Sequence, residues 1–284
     1  MQFTKAHGCG NDFIILDLEG TQEQVRAKIA ELRDEAPGIC DRHKGVGADG
    51  LLLVTPTLVE RGARYEMTVI NSDGSLAEMC GNGLRCVADF LRRSGRLCSG
   101  EELKTGAGEL RVHFSDPPEG VAEAERASLF AHGSWVGAEL SAPQGVRRLC
   151  VSSDPHSEQW HLTCLSLGNP HAVTFDPEAF ARRAELAPAL SGQFEGGVNL
   201  SFARLESPGL IQLHVHERGC GWTQACGTGA CATAVAAVEW GLAKQGAPLT
   251  ITLPGGQLVI EYSSEGLIMM WGPALEVFRG ALNV

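Results

Sequence analysis

The sequence predicts a mixed α/β fold made of two similar halves. Three observations support this: strand patterns dominate the chain, a few helical segments interrupt them, and one short glycine-rich pattern occurs twice. At 284 residues the chain is long enough for about two domains. Its apolar fraction of 44% and charged fraction of 20% are close to globular averages, so the chain can bury a sizeable core.

The predicted strands are short apolar runs, and several of them alternate apolar and polar residues. Leu249–Leu253 is the clearest case, since a Pro-Gly-Gly turn follows it. We predict strands at Phe13–Asp17, Leu51–Thr55, Arg64–Asn71, Leu110–Phe114, Leu162–Leu167, Ala172–Phe175, Leu210–His216, Leu249–Leu253, Leu258–Tyr262, Leu267–Trp271 and Leu275–Phe278.

Helical segments lie between these strands. Thr21–Gln24 has the sequence of a capping box, so a helix is expected to begin there. Further helices are predicted at Asn82–Arg93 and Thr228–Trp240, each with a glycine close behind, and at Pro177–Leu186 as a surface helix. A run rich in Pro, Glu and Gly at Asp116–Ala127 indicates a domain junction.

Composition narrows the class of function. The net charge of −11 argues against nucleic acid and against anionic membrane surfaces, because neither would be attracted. No apolar run has the roughly 18 residues of a membrane span. The N-terminus does not read as a secretory signal, so a cytoplasmic protein with reduced thiols is expected. Of the ten cysteines we expect about eight in the core, and none has C-x-x-C spacing.

One pattern is repeated along the chain. Cys80–Gly83 and Cys226–Gly229 both read Cys-Gly-x-Gly and both open a predicted helix. Nine residues before each cysteine a polar residue ends a predicted strand, Asn71 in one half and Glu217 in the other. A Gly-Asn step also precedes a strand in each half, at Asn11 and at Asn169. The chain therefore reads as a duplicated unit.

The repeated Cys-Gly-x-Gly pattern is compatible with acid–base chemistry at a bound carboxylate. The first N–H groups of a helix can bind a carboxylate, and a cysteine there is favoured as thiolate. If two such helix starts meet, one sulfur lies on each face of a carbon acid, as stereoinversion requires. The alternative for each copy is a glycine turn before a buried helix, with the cysteine as core filler.

The motifs resemble those of the diaminopimelate epimerase family over nearly the whole chain and in the expected order. The matching stretches are His7–Phe13, Cys40–Gly50, Asn71–Gly74, Glu78–Gly83, Leu167–His171, Gly197–Asn199, Glu217–Gly221 and Ala225–Cys231. The resemblance implies an α/β (α+β) fold of two pseudo-symmetric domains, each a strongly curved, mainly antiparallel sheet wrapped around a central helix. The halves would be 1–118, completed by 272–284, and 119–271.

The resemblance also implies a cofactor-independent epimerase that interconverts LL- and meso-2,6-diaminopimelate in lysine and peptidoglycan precursor biosynthesis. Cys80 and Cys226 would be the acid–base thiols, supported by His171 and Glu217. Arg218 would pair with the distal carboxylate, a bidentate task that suits guanidinium. The substrate-binding set would be Asn11, Asn71, Gly81, Asn82, Asn169, Asn199, Glu217, Arg218, Gly227 and Thr228. The family implies a cytoplasmic homodimer with a small amino-acid substrate and no metal site, nucleic-acid partner or membrane partner.

Three positions differ from part of the family: Gly50, Trp222 and Phe278 stand where some members have Gln, Glu and Tyr. Two other functions remain open from the residues. A proline or hydroxyproline racemase would share the two thiols, although its small substrate would leave Arg218 without a partner. A non-enzymatic metal- or ligand-binding protein could use the Cys and His content, although the metal spacings are missing.

Overall fold

The computed structural model describes residues 1–57, 62–119, 121, 126, 129, 131–152 and 159–282. The chain divides into two compact units. The first unit contains Met1–Ala138 and Gly272–Val284, and the second unit contains Glu139–Trp271. Of the predicted junction at Asp116–Ala127, residues 120, 122–125 and 127 lie outside the described residues.

Strands are the main element of both units. Numbered in chain order, they are β1 (Gln2–Gly8), β2 (Asn11–Asp17), β3 (Gly50–Pro56), β4 (Tyr65–Asn71), β5 (Leu76–Ala77), β6 (Glu102–Thr105), β7 (Gly108–Ser115), β8 (Gly133–Leu140), β9 (Gln144–Ser152), β10 (Gln159–Ser166), β11 (Pro170–Thr174), β12 (Asn199–Ser207), β13 (Leu210–Glu217), β14 (Gly221–Trp222), β15 (Leu249–Leu253), β16 (Gly256–Tyr262) and β17 (Ile268–Ala281). The helices are α1 (Gln22–Cys40), α2 (Gly81–Arg93), α3 (Pro177–Ala181), α4 (Arg183–Ser191) and α5 (Gly227–Glu239).

The first unit is a curved sheet that closes on itself. Its strands pair in the order β1, β2, β3, β4, β6, β7 and β8, and the parallel pairs are β2 with β3 and β4 with β6. Strand β17 pairs with both β8 and β1, which completes the ring. Helix α2 packs against β1 to β4, and ten of its side chains, from Gly81 to Leu91, are buried. It is therefore the central helix of this unit.

The second unit repeats this connectivity. Strands β10, β11, β12, β13, β15 and β16 pair as β1, β2, β3, β4, β6 and β7 do, with parallel pairs at the same two places. Helix α5 follows the two-residue strand β14, as α2 follows β5, and its side chains are buried along most of its length. The predicted fold is confirmed: two similar units, each a mainly antiparallel sheet around a central helix.

Further helices cover the outer faces of the sheets. Helix α1 begins with the predicted capping box at Thr21 and packs Leu32, Ala36 and Ile39 onto the apolar strands of the first unit. Burial of a leucine or isoleucine side chain such as Leu32 or Ile39 contributes about 1.5–3 kcal/mol. In the second unit, Phe180 of α3 and Leu186 of α4 share a core cluster with β12. These outer helices pack against the sheets whose strand ends carry the candidate site residues described below.

The structure corrects several predicted elements. The first unit does not end at 118 but continues to Ala138, because β8 pairs with β7. The predicted helix Pro177–Leu186 is two helices that meet at Arg182. The two predicted C-terminal strands are one continuous strand, β17. Seven strands were not predicted from the sequence: β1, β5, β6, β8, β9, β12 and β14. Of these, β5 and β14 have only two residues each, and β9 carries charged residues and is exposed or half-exposed along its length.

In the part of the chain that the structure describes, none of the helices combines the length and the apolar character needed to cross a bilayer.

Candidate active site

Cys80 lies at the start of the buried helix α2. Its backbone is extended, with φ −138° and ψ 112°, so it is the N-cap, and its Sγ accepts a hydrogen bond from the Gly83 N–H at 3.5 Å. A Cβ at Gly83 would lie 2.8 Å from Leu52 Cδ2, so glycine lets this helix start approach β3 closely. N–H groups of a first helical turn have no acceptor within the helix and favour negative charge.

Asn11 and Asn82 meet beside this cysteine. The Cys80 thiol donates to Asn11 Oδ1 at 3.7 Å, and Asn82 Nδ2 donates to the same oxygen at 3.2 Å. Asn11 reaches this place because β2 begins at Asn11, one turn after β1. We call Asn11, Cys80, Gly81 and Asn82 the first half-site.

Two further groups extend the first half-site. Asn11 Nδ2 donates to Asp49 Oδ2 at 2.7 Å, and Arg85 Nη2 donates to Asn82 Oδ1 at 2.7 Å. Arg85 is fully buried in α2, and its Nε also donates to the Pro273 carbonyl at 3.2 Å. Neither Asp49 nor Arg85 was singled out from the sequence, where an arginine on a helix is typical of a solvated face.

Asn71 takes part in a different set of bonds. It ends β4, opposite Gly50, and its Nδ2 donates to Ser75 Oγ at 2.9 Å within its own turn. The structure also explains the glycine at position 50. A Cβ there would lie 2.5 Å from the Ile70 carbonyl oxygen, which is backbone and cannot easily yield. In this chain the local pairing of β3 with β4 therefore disfavours any side chain at position 50.

Cys226 opens α5 in the same way. It is the N-cap with extended φ −123° and ψ 105°, and it is buried. Gly229 makes room for it, because a Cβ there would lie 3.2 Å from Cys226 Sγ and 3.1 Å from Val215 Cγ2. The Thr228 hydroxyl lies 3.7 Å from the same sulfur. The two Cys-Gly-x-Gly motifs thus form the same local structure.

His171 and Asn169 form the next part of this second group. Asn169 Nδ2 donates to Thr228 Oγ1 at 3.4 Å, and His171 Nε2 lies 2.9 Å from Asn169 Oδ1. Because the Asn169 amide nitrogen is used toward Thr228, its oxygen faces the histidine and accepts from Nε2–H. His171 Nδ1 is then an acceptor, and it is buried without a partner among the described residues.

Asn199, the first residue of β12, links the start of β11 to the residue that follows β13. Its Nδ2 donates to the Pro170 carbonyl at 3.2 Å, and its Oδ1 accepts from the Arg218 N–H at 3.0 Å. The Arg218 side chain lies along Gly197, where a Cβ would be 2.9 Å from its Cδ. Glu217 accepts from the Thr223 hydroxyl at 2.5 Å. We define the second half-site as Asn169, His171, Asn199, Glu217, Arg218, Cys226, Gly227 and Thr228.

Burial controls the ionisation of the second half-site. It raises the pKa of the Cys226 thiol well above its ordinary value, and the negative charge of Glu217 raises this pKa further. Hydrogen bonds from Gly229 and Thr228 act in the opposite direction. Burial also lowers the pKa of His171 to about 3, so its imidazole is neutral at physiological pH. A neutral imidazole nitrogen can accept a hydrogen bond there.

The remaining cysteines divide into two groups. Cys9, Cys40, Cys86, Cys164 and Cys231 are buried, whereas Cys98, Cys150 and Cys220 are exposed, so the expectation of about eight core cysteines was too high. Burial raises the pKa of Cys40 and of Cys164 to about 11. Among the described residues, no group of three or more His, Cys, Asp or Glu side chains is arranged to hold a metal ion.

Trp222 and Phe278, the two other positions singled out against the family pattern, each make one aromatic contact. Trp222 is half-exposed and lies edge-on to the His216 ring, with ring centroids 5.3 Å apart. Phe278 packs edge-on against Phe3, with ring centroids 5.8 Å apart. Neither ring contacts the two half-sites through the bonds described above.

Comparison with known proteins identifies the family. Residues 3–125 and 163–277 match the family model described as diaminopimelate epimerase. A diaminopimelate epimerase of Synechococcus elongatus is 36% identical over 288 residues, which cover 100% of this chain and 99% of the relative. Another, from Sphingopyxis alaskensis, is 39% identical over 282 residues, which cover 98% and 96%.

Solved structures show the same fold. The crystal structure of a probable proline racemase from Agrobacterium radiobacter, with bound carbonate, aligns with a TM-score of 0.69 at 14% identity, covering 100% of this chain and 93% of that chain. At that identity the likeness concerns the fold alone. The family match and the full-length relatives carry the assignment: the chain belongs to the diaminopimelate epimerase family of isomerases.

Proposed function

We propose that this chain interconverts LL- and meso-2,6-diaminopimelate without a cofactor, with Cys80 and Cys226 as its two acid–base groups. The observation that carries the proposal is the duplicated helix start. In each unit a cysteine is the N-cap of the central helix. In the first unit Asn11 accepts directly from Cys80, whereas in the second unit Asn169 is connected to the helix start of Cys226 through Thr228. Family membership supplies the substrate.

In the proposed step the two sulfurs act on one α-carbon from opposite faces. A thiolate takes the α-proton, so the C–H bond breaks and an S–H bond forms. The electron pair passes into the α-carboxylate, whose added charge is stabilised by helix N–H groups. The opposite thiol then gives its proton to the other face, and becomes the thiolate. Atoms and charge balance, and the enzyme is left with the two protonation states exchanged.

The other residues of the half-sites would bind the substrate. The N–H groups at Gly81, Asn82, Gly227 and Thr228 suit the reacting carboxylate because they open the two helices. The unpartnered Nδ1 of His171 suits the reacting amino group, since a neutral imidazole nitrogen accepts from an ammonium. Glu217 lies close enough to Cys226 to raise its pKa, so it can share a proton with that sulfur.

Selection for a long substrate would come from the second half-site. Arg218 is held by its backbone bond to Asn199, and its Nη1 donates to the Gly196 carbonyl at 3.4 Å, so the other donors of its planar guanidinium would bind a distal carboxylate. Asn71 would contribute a polar contact from the first unit. A proline-sized substrate has no second charged end, so Arg218 would have no ligand partner. For this reason diaminopimelate is preferred to proline.

The wider setting of the reaction is part of the same proposal. The product would serve lysine and peptidoglycan precursor synthesis in the cytoplasm. Assembly as a homodimer is proposed from the family.

The direct test is incubation of the purified protein with LL-diaminopimelate, with chiral chromatography to follow the meso isomer. We expect conversion in both directions, with undiminished rate in the presence of a chelator. D- and L-proline are the comparison substrates. Faster turnover of proline than of diaminopimelate would contradict the proposal and would favour a proline racemase.

A further inference from the structure

Four side chains of the first unit form a chain of hydrogen bonds with one fixed direction. Arg85 donates to Asn82, Asn82 donates to Asn11, and Asn11 donates to Asp49, over distances of 2.7, 3.2 and 2.7 Å. A guanidinium can only donate, and an ionised carboxylate can only accept. With such groups at its two ends, the chain allows a single orientation for each asparagine amide between them.

That orientation decides which atom Asn11 presents to Cys80. Its amide nitrogen is turned toward Asp49, so its carbonyl oxygen is turned toward the sulfur and accepts the Cys80 S–H at 3.7 Å. A hydrogen bond to the neutral form of an acid favours that form and raises its pKa. The Gly83 N–H, which donates to the same sulfur, acts in the opposite direction.

Arg85 is anchored inside the first unit by several acceptors, which include Cys9 Sγ at 3.9 Å from its Nη2. It is fully buried, and its Nη1 and Nε donate to the backbone carbonyls of Gly81 and Pro273. Gly8 is shaped around it, since a Cβ at Gly8 would lie 3.1 Å from Arg85 Nη2. A buried guanidinium is expensive unless its donors are used. At the matching place in α5, five residues after Cys226, the chain has Cys231 instead.

We infer that Arg85 is a positioning residue: acting through Asn82, it holds the Asn11 carbonyl against Cys80 and shifts the thiol–thiolate balance of this sulfur toward the thiol. The inference uses the proposed function only in treating Cys80 as an acid–base group. Its test measures the thiol itself and needs no turnover, so its failure is distinct from failure to epimerise diaminopimelate.

The ionisable surroundings of Cys80 determine the design of the test. On α2 they include Arg85 and Cys86; the turn after β1 carries Cys9, and His7 of β1 binds the Gly10 N–H beside it. Asp49 lies beyond Asn11, ahead of β3. Removing the positive charge of Arg85 would by itself raise the Cys80 pKa, whereas releasing Asn11 would lower it. A double-mutant cycle separates these two effects.

The experiment follows alkylation of Cys80 by iodoacetamide between pH 6 and 10, quantified on the peptide that contains Cys80. It uses wild type, Arg85→Met, Asn11→Ala and the double variant. The charge effect of Arg85→Met is present in both backgrounds, and the orientation effect requires Asn11. We expect Arg85→Met to shift the midpoint pH of Cys80 alkylation more negatively when Asn11 is present than in the Asn11→Ala background. The difference between the two shifts should correspond to about a threefold change in thiolate fraction.

Asp49→Ala tests the other end of the same chain, because the Asp49 side chain is 41% exposed. Asp49 also accepts from Arg42 and from the Asp12 N–H, and the loss of these bonds is common to both backgrounds. We expect the same sign of coupling with Asn11→Ala. Arg92→Met is the matched control: it lies on α2 and donates to Ser134, away from Asn11, so its shift should be equal in both backgrounds. Equal shifts for Arg85→Met and for Asp49→Ala in the two backgrounds would overturn the inference.

Discussion

The two half-sites share a backbone and differ in the side chains around the sulfur. The pairing registers match, since Phe13 lies opposite Gly50 in the first unit as His171 lies opposite Asn199 in the second. Around Cys80, however, the neighbours are amides oriented by Arg85 and Asp49. Around Cys226 they are the hydroxyl of Thr228 and the carboxylate of Glu217.

The difference shows what a duplicated fold can vary. The strand order and the helix start place a cysteine at one position in each unit, and this part is common. The groups that control protons and recognise the substrate are not duplicated: Asn71 corresponds to Glu217, and Gly50 corresponds to Asn199. We expect the units to be equally necessary for inversion, but the second unit to determine the substrate.

Removal of either sulfur should have the largest effect. Cys80→Ala and Cys226→Ala should each lower epimerisation by about 10²- to 10⁴-fold, because each face loses its proton carrier. Cys86→Ala and Cys231→Ala, which remove buried thiols from the same helices, are the controls and should mainly reduce stability. Initial rates of meso-isomer formation measure the effect. Near-normal turnover in one of the first pair would show that its half-site is not catalytic.

Arg218→Lys should test the substrate selection assigned to the second half-site. Lysine keeps the charge and loses the planar pair of donors, so we expect kcat/KM for diaminopimelate to fall by about 10-fold, and by about 100-fold in Arg218→Ala. Arg183 of the same unit donates to the Phe180 carbonyl, and Arg183→Ala is the matched control. Unchanged kinetics in Arg218→Ala would remove the distal-carboxylate assignment.

Gly50→Ala should sharpen the contrast with Asn199. The new methyl group would lie 2.5 Å from the Ile70 carbonyl oxygen, so we expect a loss of about 1–3 kcal/mol in the free energy of unfolding. Gly38→Ala, in α1, meets no atom within 4 Å and should be neutral or stabilising by up to about 1 kcal/mol. Urea unfolding compares them, and an equal effect of the two substitutions would show that Gly50 is not required by packing.

His171 should make the stability of the protein depend on acid. Its pKa is about 3 when folded and 6.5 in the ordinary reference state, so the unfolded chain binds the proton first as pH falls. The neutral histidine therefore stabilises the fold above pH 6.5, and this contribution is lost progressively toward pH 3.

The measurement compares urea unfolding of wild type and His171→Gln at pH 8 and pH 5. When the pH falls from 8 to 5, wild type should lose about 2 kcal/mol more of its free energy of unfolding than His171→Gln does. Asp89, in the other unit, has its pKa raised to about 6 by burial and changes stability in the opposite direction, but it is common to both proteins. A pH-independent difference would mean that the pKa of His171 is the same in the folded and unfolded protein, and would contradict its lowering by burial.

The repeat of Cys80 and Cys226 was sufficient to predict the duplicated architecture, because a glycine-flanked helix start is a local feature. Thr21 likewise predicted its capping box. The family resemblance predicted that residues 272–284 complete the first unit, but the residues alone do not show how β17 pairs, since it joins opposite ends of the chain. Strand β12 was missed because its second half is exposed and polar.

The candidate site also contains some residues that the sequence predicted and others that it missed. The predicted contacts of Asn11, Asn169 and Thr228 follow from motif positions close to each cysteine. Arg85 and Asp49 were missed because their importance comes from burial and from hydrogen-bond direction, which depend on distant residues such as Pro273. The catalytic and binding roles assigned to the residues of the two half-sites stay predictions.

The fate of hydrogen at the α-carbon tests the two-thiol account most directly. LL-diaminopimelate should be incubated with the wild-type protein in deuterium oxide and sampled before one tenth has reacted. If opposite thiols remove and return the proton, the meso product carries solvent deuterium at the inverted carbon, while the remaining substrate keeps its original proton. A product that retains the original α-proton would contradict the account, because a single base would then have carried the same proton across both faces.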